Sequence, residues 1–479
     1  MPQFFMVTIG LFFLLLLVII TRTLLFRPQH NALPQGGHHQ PDREHLLRSL
    51  PELLKCRTVS HREVEAIDFA EFSRFKALLP SLYPLVHAHC TREEINRTGL
   101  LYRWPGKNAE NPTVLMSHYD VVPVEEEFWT RPAFEGLIDE GCIWGRGTLD
   151  TKSTLCAILE AAEKLLASGF TPVHDLYFSF SGDEEISGPS APAIVAVLQE
   201  RGIRPALVLD EGGAIVENIF PGVSRPIAVV GSGEKGYMDI DMELHGPGGH
   251  SSTPPAHSLA GILAKAIVNI EKHPFPATFT PPVLEMFKTL GRQSSFGLRL
   301  IFANLWLFKP LLAALFHKKG GQLDAMIRTT TAVTKLSGSQ AYNVLPPKAV
   351  AGINFRLLGN ENAESVIRHL RRITKNPELR FTVGESREAS PASKTTGPSW
   401  EAVSTAIRQT WPEVVVTPYL MLAATDSRHF CAISDCVLRF SAMRLSKEEL
   451  DLIHGHDERI TINNLMETVN FYLNLVEAL

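Results

Sequence analysis

Three apolar runs, "TVLMSHYD" (113–120), "DLYFSFSGDEE" (175–185) and "ALVLDEGG" (206–213), each end in carboxylates. Two amphipathic stretches of helical length separate them, "STLCAILEAAEKLLASG" from Ser153 and "APAIVAVLQERG" from Ala191. The runs are short and apolar throughout, as strands buried on both faces are, and the stretches between them carry apolar residues at helical spacing. Strand and helix in alternation predict an α/β fold, a mixed, mostly parallel sheet covered by helices. Ligands of such sheets bind beyond the carboxyl ends of the strands, where these carboxylates lie.

Near Gly236 the pattern changes. "YMDIDMELHG" alternates with period two, and a helix "SLAGILAKAIVNIEKH" follows. Then come "RTTTAVTKLSG", "KAVAGINFRLL", a helix "AESVIRHLRRITK" and "LRFTVGE". That order is βαββαβ, a ferredoxin-like unit. It is inserted into the first domain, because α/β material resumes at "SWEAVSTAIRQTW". The expected division is 44–235 and 389–479 for the main domain and 236–388 for the inserted one. Within the insertion, about 275–327, lies an unusually long apolar stretch whose centre is "FGLRLIFANLWLFKPLLAALF".

Ahead of the body, Phe4 to Ile20 is apolar apart from Thr8 and Gly10. Residues 1–27 read as a signal peptide or signal anchor, and the polar, Pro- and Gly-rich 28–43 as a stalk. Arg22 and Arg27 after the apolar run favour a cytosolic body, whereas the "NRT" acceptor at Asn96 fits a lumenal one. Six cysteines scattered over 479 residues do not form a disulfide framework. A net charge of −5 gives no reason to expect nucleic acid as a partner.

Collected at one sheet edge are His118 and Asp120, Asp150 of "GRGTLD", Asp183 to Glu185, Asp210 and Glu211, with His454 and His456 from "HGHDERI". One strand-end aspartate is ordinarily a solvated loop residue. This many carboxylates in one place repel each other unless cations neutralise them. Mixed His and carboxylate donors suit zinc, and two metals bridged by one carboxylate form a hydrolytic arrangement.

The ordered set "SHYDVVP", "GRGTLDTKS", "SGDEEISG", "VLDEGG", "GPGGHSSTPP", "NVLPP" and "HGHDER" resembles the co-catalytic zinc metallopeptidases, the family of aminoacylase, carnosinase and glutamate carboxypeptidase. The resemblance covers nearly all of the chain after the stalk. It implies two zinc ions per subunit. His118 and Asp210 would bind the first, Glu185 and His454 the second, and Asp150 would bridge both, with a cis peptide after it. It further implies Glu184 as general base, Asp120 holding His118 by its other ring nitrogen, and the inserted domain as a lid. There His250 would steady the oxyanion, and Asn343 and Arg356 would hold the substrate carbonyl and carboxylate. His456 is expected to be a loop residue, and Thr151 stands where the family often has an acidic one.

The similarity extends, through "NLWLFKPLL" and "IRTTTAVT", to a secreted branch that makes and cleaves N-fatty-acyl amino acids. The expected activity is therefore reversible hydrolysis of amides of a fatty acid and an amino acid. A dipeptidase or carboxypeptidase of the same family is the alternative. A catalytically dead binding protein is disfavoured by the intact Glu184 and ligand set. The partners expected are a small amphipathic substrate and, through the N-terminal segment, a membrane. The location is the secretory pathway, with a secreted or anchored body. Homodimerisation is left open. The apolar insert suits a fatty-chain pocket, a dimer interface or the core of the lid.

Overall fold

The computed structural model describes residues 2–28, 39–217, 220 and 222–479. The stalk read at 28–43 falls largely on 29–38, outside the described residues. Its far end is ordered, because Asp42 caps the next helix by accepting from His45 N at 3.0 Å.

The central sheet uses β1 (Thr91–Ile95), β2 (Gly99–Trp104), β3 (Asn108–His118), β4 (His174–Ser181), β5 (Leu207–Val216) and β6 (Ile227–Glu234). The inserted domain contributes β7 (Gly236–His245), β8 (Thr330–Ser337), β9 (Lys348–Leu357) and β10 (Arg380–Arg387), after which β11 (Val415–Met421) and β12 (Val437–Leu445) return to the central sheet. The central order is β1-β2-β4-β3-β5-β12-β6-β11. The pairs β4–β3, β3–β5, β5–β12 and β6–β11 are parallel, whereas β1–β2, β2–β4 and the short pairing β12–β6 are antiparallel, as is an additional pairing of β5 with β6. The sheet is thus mixed and mostly parallel, as expected.

The helices that matter below are α1 (Pro2–Leu25), α2 (Arg43–Leu54), α3 (Phe69–Leu82), α4 (Lys152–Ala167), α5 (Ser190–Glu200), α6 (Leu259–Lys272), α7 (Pro281–Gln293), α8 (Phe296–Ala303), α9 (Leu305–Lys319), α10 (Ala363–Thr374), α11 (Pro398–Thr410) and α12 (Ile462–Ala478). α4 is buried along most of its length, which its apolar sequence requires. It ends at Gly169, whose φ of +76° a side chain would resist, with Phe170 N donating to Leu165 O at 3.0 Å.

The inserted unit has the expected βαββαβ order and a four-stranded sheet, β8-β9-β7-β10. β7 alternates buried and partly exposed residues, so one face packs on α6, while α10 lies against α6 and β10. Met238, Ile240, Leu263, Ile353 and Leu370 belong to a core of its own. The apolar insert behaves differently. Val283, Met286, Phe287, Leu290, Phe302, Leu305 and Leu312 join the core of the main body, and α7 packs on β11. As an edge strand, β11 leaves one side open, and the insert covers it. The insert is therefore an extension of the body rather than core of the lid.

Candidate metal centre

Strand ends and two loops build the site. β3 ends at His118, and β4 ends just before Gly182–Glu185. A short antiparallel sheet, Leu137–Asp139, Cys142–Trp144 and Arg459–Thr461, sets the 454–458 loop beside the 145–150 loop. Glu458 joins those loops. Fully buried, its carboxylate accepts from the backbone N–H of Gly147 (3.1 Å), Leu149 (2.7 Å) and Asp150 (3.2 Å), and from Arg146 Nη1 (2.7 Å). The peptide from Asp150 to Thr151 is cis, as the resemblance implies.

Asp150 lies at the centre of the group. Its Oδ1 is 2.9 Å from His118 Nε2, and its Oδ2 is 2.9 Å from His454 Nε2. His454 Nε2 is also 3.1 Å from Glu185 Oε2, while Glu185 Oε1 is buried without a partner. Ligand atoms of His118, Asp150 and Glu185 form one compact set, and those of His118, Glu184 and Glu211 a second, each within 4.8 Å.

Asp120 faces the other side of His118. Its carbonyl O is 3.0 Å and its Oδ1 3.4 Å from His118 Nδ1. The same carboxylate accepts from Glu184 N and Glu185 N, both at 3.1 Å. One buried aspartate thus fixes both the histidine ring and the turn that carries Glu184.

Asp210 is the exception among the expected ligands. Its Oδ2 accepts from Ser427 N at 3.0 Å, and it belongs to neither compact set. Side chains alternate across a strand, so the next residue faces the site: Glu211 Oε1 is 3.4 Å from His118 Nε2. The structure brings Glu211, not Asp210, to the cluster.

The group is strained as bare charge. Burial raises Glu184 well above the usual carboxylate range, and the neighbouring Asp426 raises it further. Glu211 is raised by burial and then by Asp150. Asp150 and Glu185 push His454 up to about 10. At His118 burial opposes the charge, but Glu211, Asp120 and Asp150 outweigh it and raise the group. Protons here do work that a divalent cation does better, and the unpartnered Glu185 oxygen is a ready ligand atom. The residues fit two metal ions.

The lid residues stand apart. Arg356 on β9 lies over the Tyr237 ring, 5.0 Å from its centre. His250 and Asn343 belong to a small exposed ribbon in which Gly249–His250 pairs with Val344–Leu345. The His250 ring bonds to Ser252 Oγ at 2.8 Å. Among the described residues neither touches the carboxylate cluster. His456 is outside it as well, tilted against Phe128 at 5.2 Å.

Sequence reasoning missed a basic group facing the acidic one. Arg62, Arg387 and Arg428 line a cavity of about 350 Å³ together with Ser187, His429 and Glu385, which pairs with Arg387. Arg387 also approaches the Tyr237 ring at 6.0 Å, so it shares that ring with Arg356. Burial, then Arg428 and Arg387, holds His429 down to about 4, leaving it neutral beside the arginines. The signal was present: Arg428 follows β11 in "LMLAATDSR", another strand end with an acidic residue.

The model of one family, described as Peptidase family M20/M25/M40, matches residues 114–478. A probable carboxypeptidase S-like protein 2 from Dictyostelium discoideum is 37% identical over 90% of this chain and 84% of its own. An N-fatty-acyl-amino acid synthase/hydrolase from Xenopus tropicalis is 34% identical over 91% of this chain and 86% of its own. Among solved structures, an M20 family metallo-carboxypeptidase from Sulfolobus solfataricus superposes with a TM-score of 0.65 and 18% identity, over 90% of this chain and 98% of that one.

Proposed function

Because the chain belongs to peptidase family M20/M25/M40, and so is a metal-dependent amidohydrolase, we propose that it cleaves, and in reverse forms, the amide of an N-acyl amino acid with two zinc ions. The observation that carries this is a basic group beside the acidic one. Arg387 and Arg428 line a cavity with Ser187, two residues from Glu185, and Arg387 lies within electrostatic reach of Glu184 and of Arg356. Carboxylate ligands next to guanidinium groups suit an amide whose far end is a free carboxylate.

His118, Asp150, Glu185, Glu211 and His454 would hold the metals. When bound, these supply a more acidic water and a polarised amide carbonyl. Glu184 accepts a proton from the attacking water and passes it to the leaving amine nitrogen, as a buried carboxylate held close to the metals can. Asp120 keeps the Glu184 backbone and the His118 ring in register. Arg356, Arg387 and Arg428 bind the amino acid carboxylate; guanidinium groups match its two oxygens. His250 and Asn343 reach the carbonyl oxygen after lid movement or from a second copy of the chain.

We assign a fatty acyl group on the strength of the synthase/hydrolase relatives. The carboxypeptidase-like relative keeps a peptide acyl group as the alternative. The test is kcat/KM with zinc for acetyl, octanoyl and oleoyl conjugates of one amino acid, beside free dipeptides. A rise with acyl length supports the fatty-acyl assignment; a preference for acetyl or for dipeptides overturns it in favour of a peptidase. We place the body on the lumenal or extracellular side, since Asn96 of the glycosylation acceptor is exposed on the β1–β2 turn. A mass loss on glycosidase treatment is the expected result.

A further inference from the structure

α1 stands out from the body along Phe4 to Leu17, where its large side chains are exposed. The residues outside the body, 2–18, span about 26 Å at 1.5 Å each, the short end of what crosses the roughly 30 Å hydrocarbon layer of a bilayer. Its last turns, by contrast, are built into the body. Thr23 is fully buried. Arg22 donates to Ala303 O at 3.2 Å, and Asn304 Nδ2 donates to Ile19 O at 3.3 Å and to Thr23 Oγ1 at 3.3 Å. Removing α1 would break these bonds and uncover Asn304, which is itself buried.

Those partners, Ala303 and Asn304, are the junction of α8 and α9, which meet at a bend of 109°. With 8 and 15 residues, neither helix is long enough to cross a bilayer. On α9 the residues Leu305 and Leu312 are buried in the body, whereas Leu307, Leu311 and Leu315, at i, i+4 and i+8, form an exposed stripe on the other face. Trp306 (54% exposed) precedes it, Phe296 is exposed at the start of α8, and His317, Lys318 and Lys319 end α9 exposed to solvent. A patch of this kind on a folded body marks an interaction surface. What covers it follows from continuity: any bilayer that holds α1 begins where α1 leaves the body, which is at Ile19, against Asn304 at the start of the helix that carries this stripe.

We propose that α1 is retained as an anchor and that the outer face of α8–α9 docks onto the surface of the same bilayer. The helices lie in its plane, the leucine stripe and Trp306 enter the boundary between headgroups and acyl chains, and the terminal lysines meet lipid phosphates. This holds whichever acyl group the active site prefers.

Tryptophan emission tests it. Of six tryptophans, Trp306 is exposed and the other five are at most 9% exposed. The full chain is reconstituted in phosphatidylcholine–phosphatidylglycerol vesicles with and without bromine on the acyl chains near the headgroup. The expected result is quenching by brominated lipid, most of it lost in Trp306→Phe and at least halved in Leu311→Gln/Leu315→Gln, with hydrolysis of a water-soluble conjugate unchanged. Quenching of Trp306 by aqueous iodide instead would put the stripe in water and overturn the proposal. Protection from both quenchers would show a protein covering, such as a second copy of the chain, and would overturn it as well.

Discussion

Glu184 and Glu185 are neighbours with different assigned tasks, and the difference lies in what each side chain meets. Glu185 Oε2 reaches His454 at 3.1 Å, whereas Glu184 groups with His118 and Glu211. Glu184→Gln is nearly isosteric but accepts no proton. It should keep the bound metal by elemental analysis and lower kcat by roughly 10²–10⁴, the usual worth of a general base. A variant with near-wild-type kcat would move that role elsewhere. Glu211 and Asp210 offer a second contrast. Glu211→Gln should cost about one metal equivalent per chain, and Asp210→Asn should retain both, since its carboxylate serves Ser427 N. The reverse outcome would return Asp210 to the ligand set.

That ambiguity also shows what an element's sequence can and cannot say. β5 is buried on both sides of its carboxylates, so its residues carry no alternation from which to tell which face Asp210 presents. β7 does alternate, and its half-exposed face was readable at once. The acidic strand ends were legible because strand length and helical spacing locate the carboxyl edge of the sheet. The destination of the apolar insert was not, because helical amphipathicity gives a buried face without naming its partner, and β11 lies far away in the chain. α2 and α4 carry a pH-dependent tie between two elements. His45 Nδ1 is 2.6 Å from Glu160 Oε1, and that bond raises His45 above its ordinary 6.5 despite partial burial. A raised histidine stabilises the fold fully below its unfolded pKa, and the contribution fades as pH climbs through the folded value. His45→Gln should therefore lower the unfolding free energy by about 1.5–3 kcal/mol at pH 6, where the bond is charged, and by about 0.5–1.5 kcal/mol at pH 9. Thermal melts of both proteins at the two pH values check this; equal losses would contradict it.

Across the whole molecule, the proposed recognition is divided between two domains, with the metal ligands on the body and part of the carboxylate site on the inserted domain. Arg356 belongs to β9 of the lid, Arg428 follows β11 of the body, and Arg387 on β10 reaches back to Ser187 Oγ at 3.4 Å. Arg356→Ala or Arg428→Ala should reduce kcat/KM for an N-acyl amino acid about 10- to 100-fold, the worth of a charge-assisted bond of about 1.5–3 kcal/mol. An N-acyl amine lacking the carboxylate should be affected far less, and equal losses on both substrates would show that the arginines act on structure alone. The two-metal amidohydrolase itself is tested most directly by titrating the metal-depleted full chain with zinc while following amine release from an N-oleoyl amino acid. The rate should be negligible without metal and rise to a plateau as two equivalents per chain bind. Hydrolysis that persists after exhaustive removal of metal, or a plateau reached with no zinc retained on the protein, would contradict it.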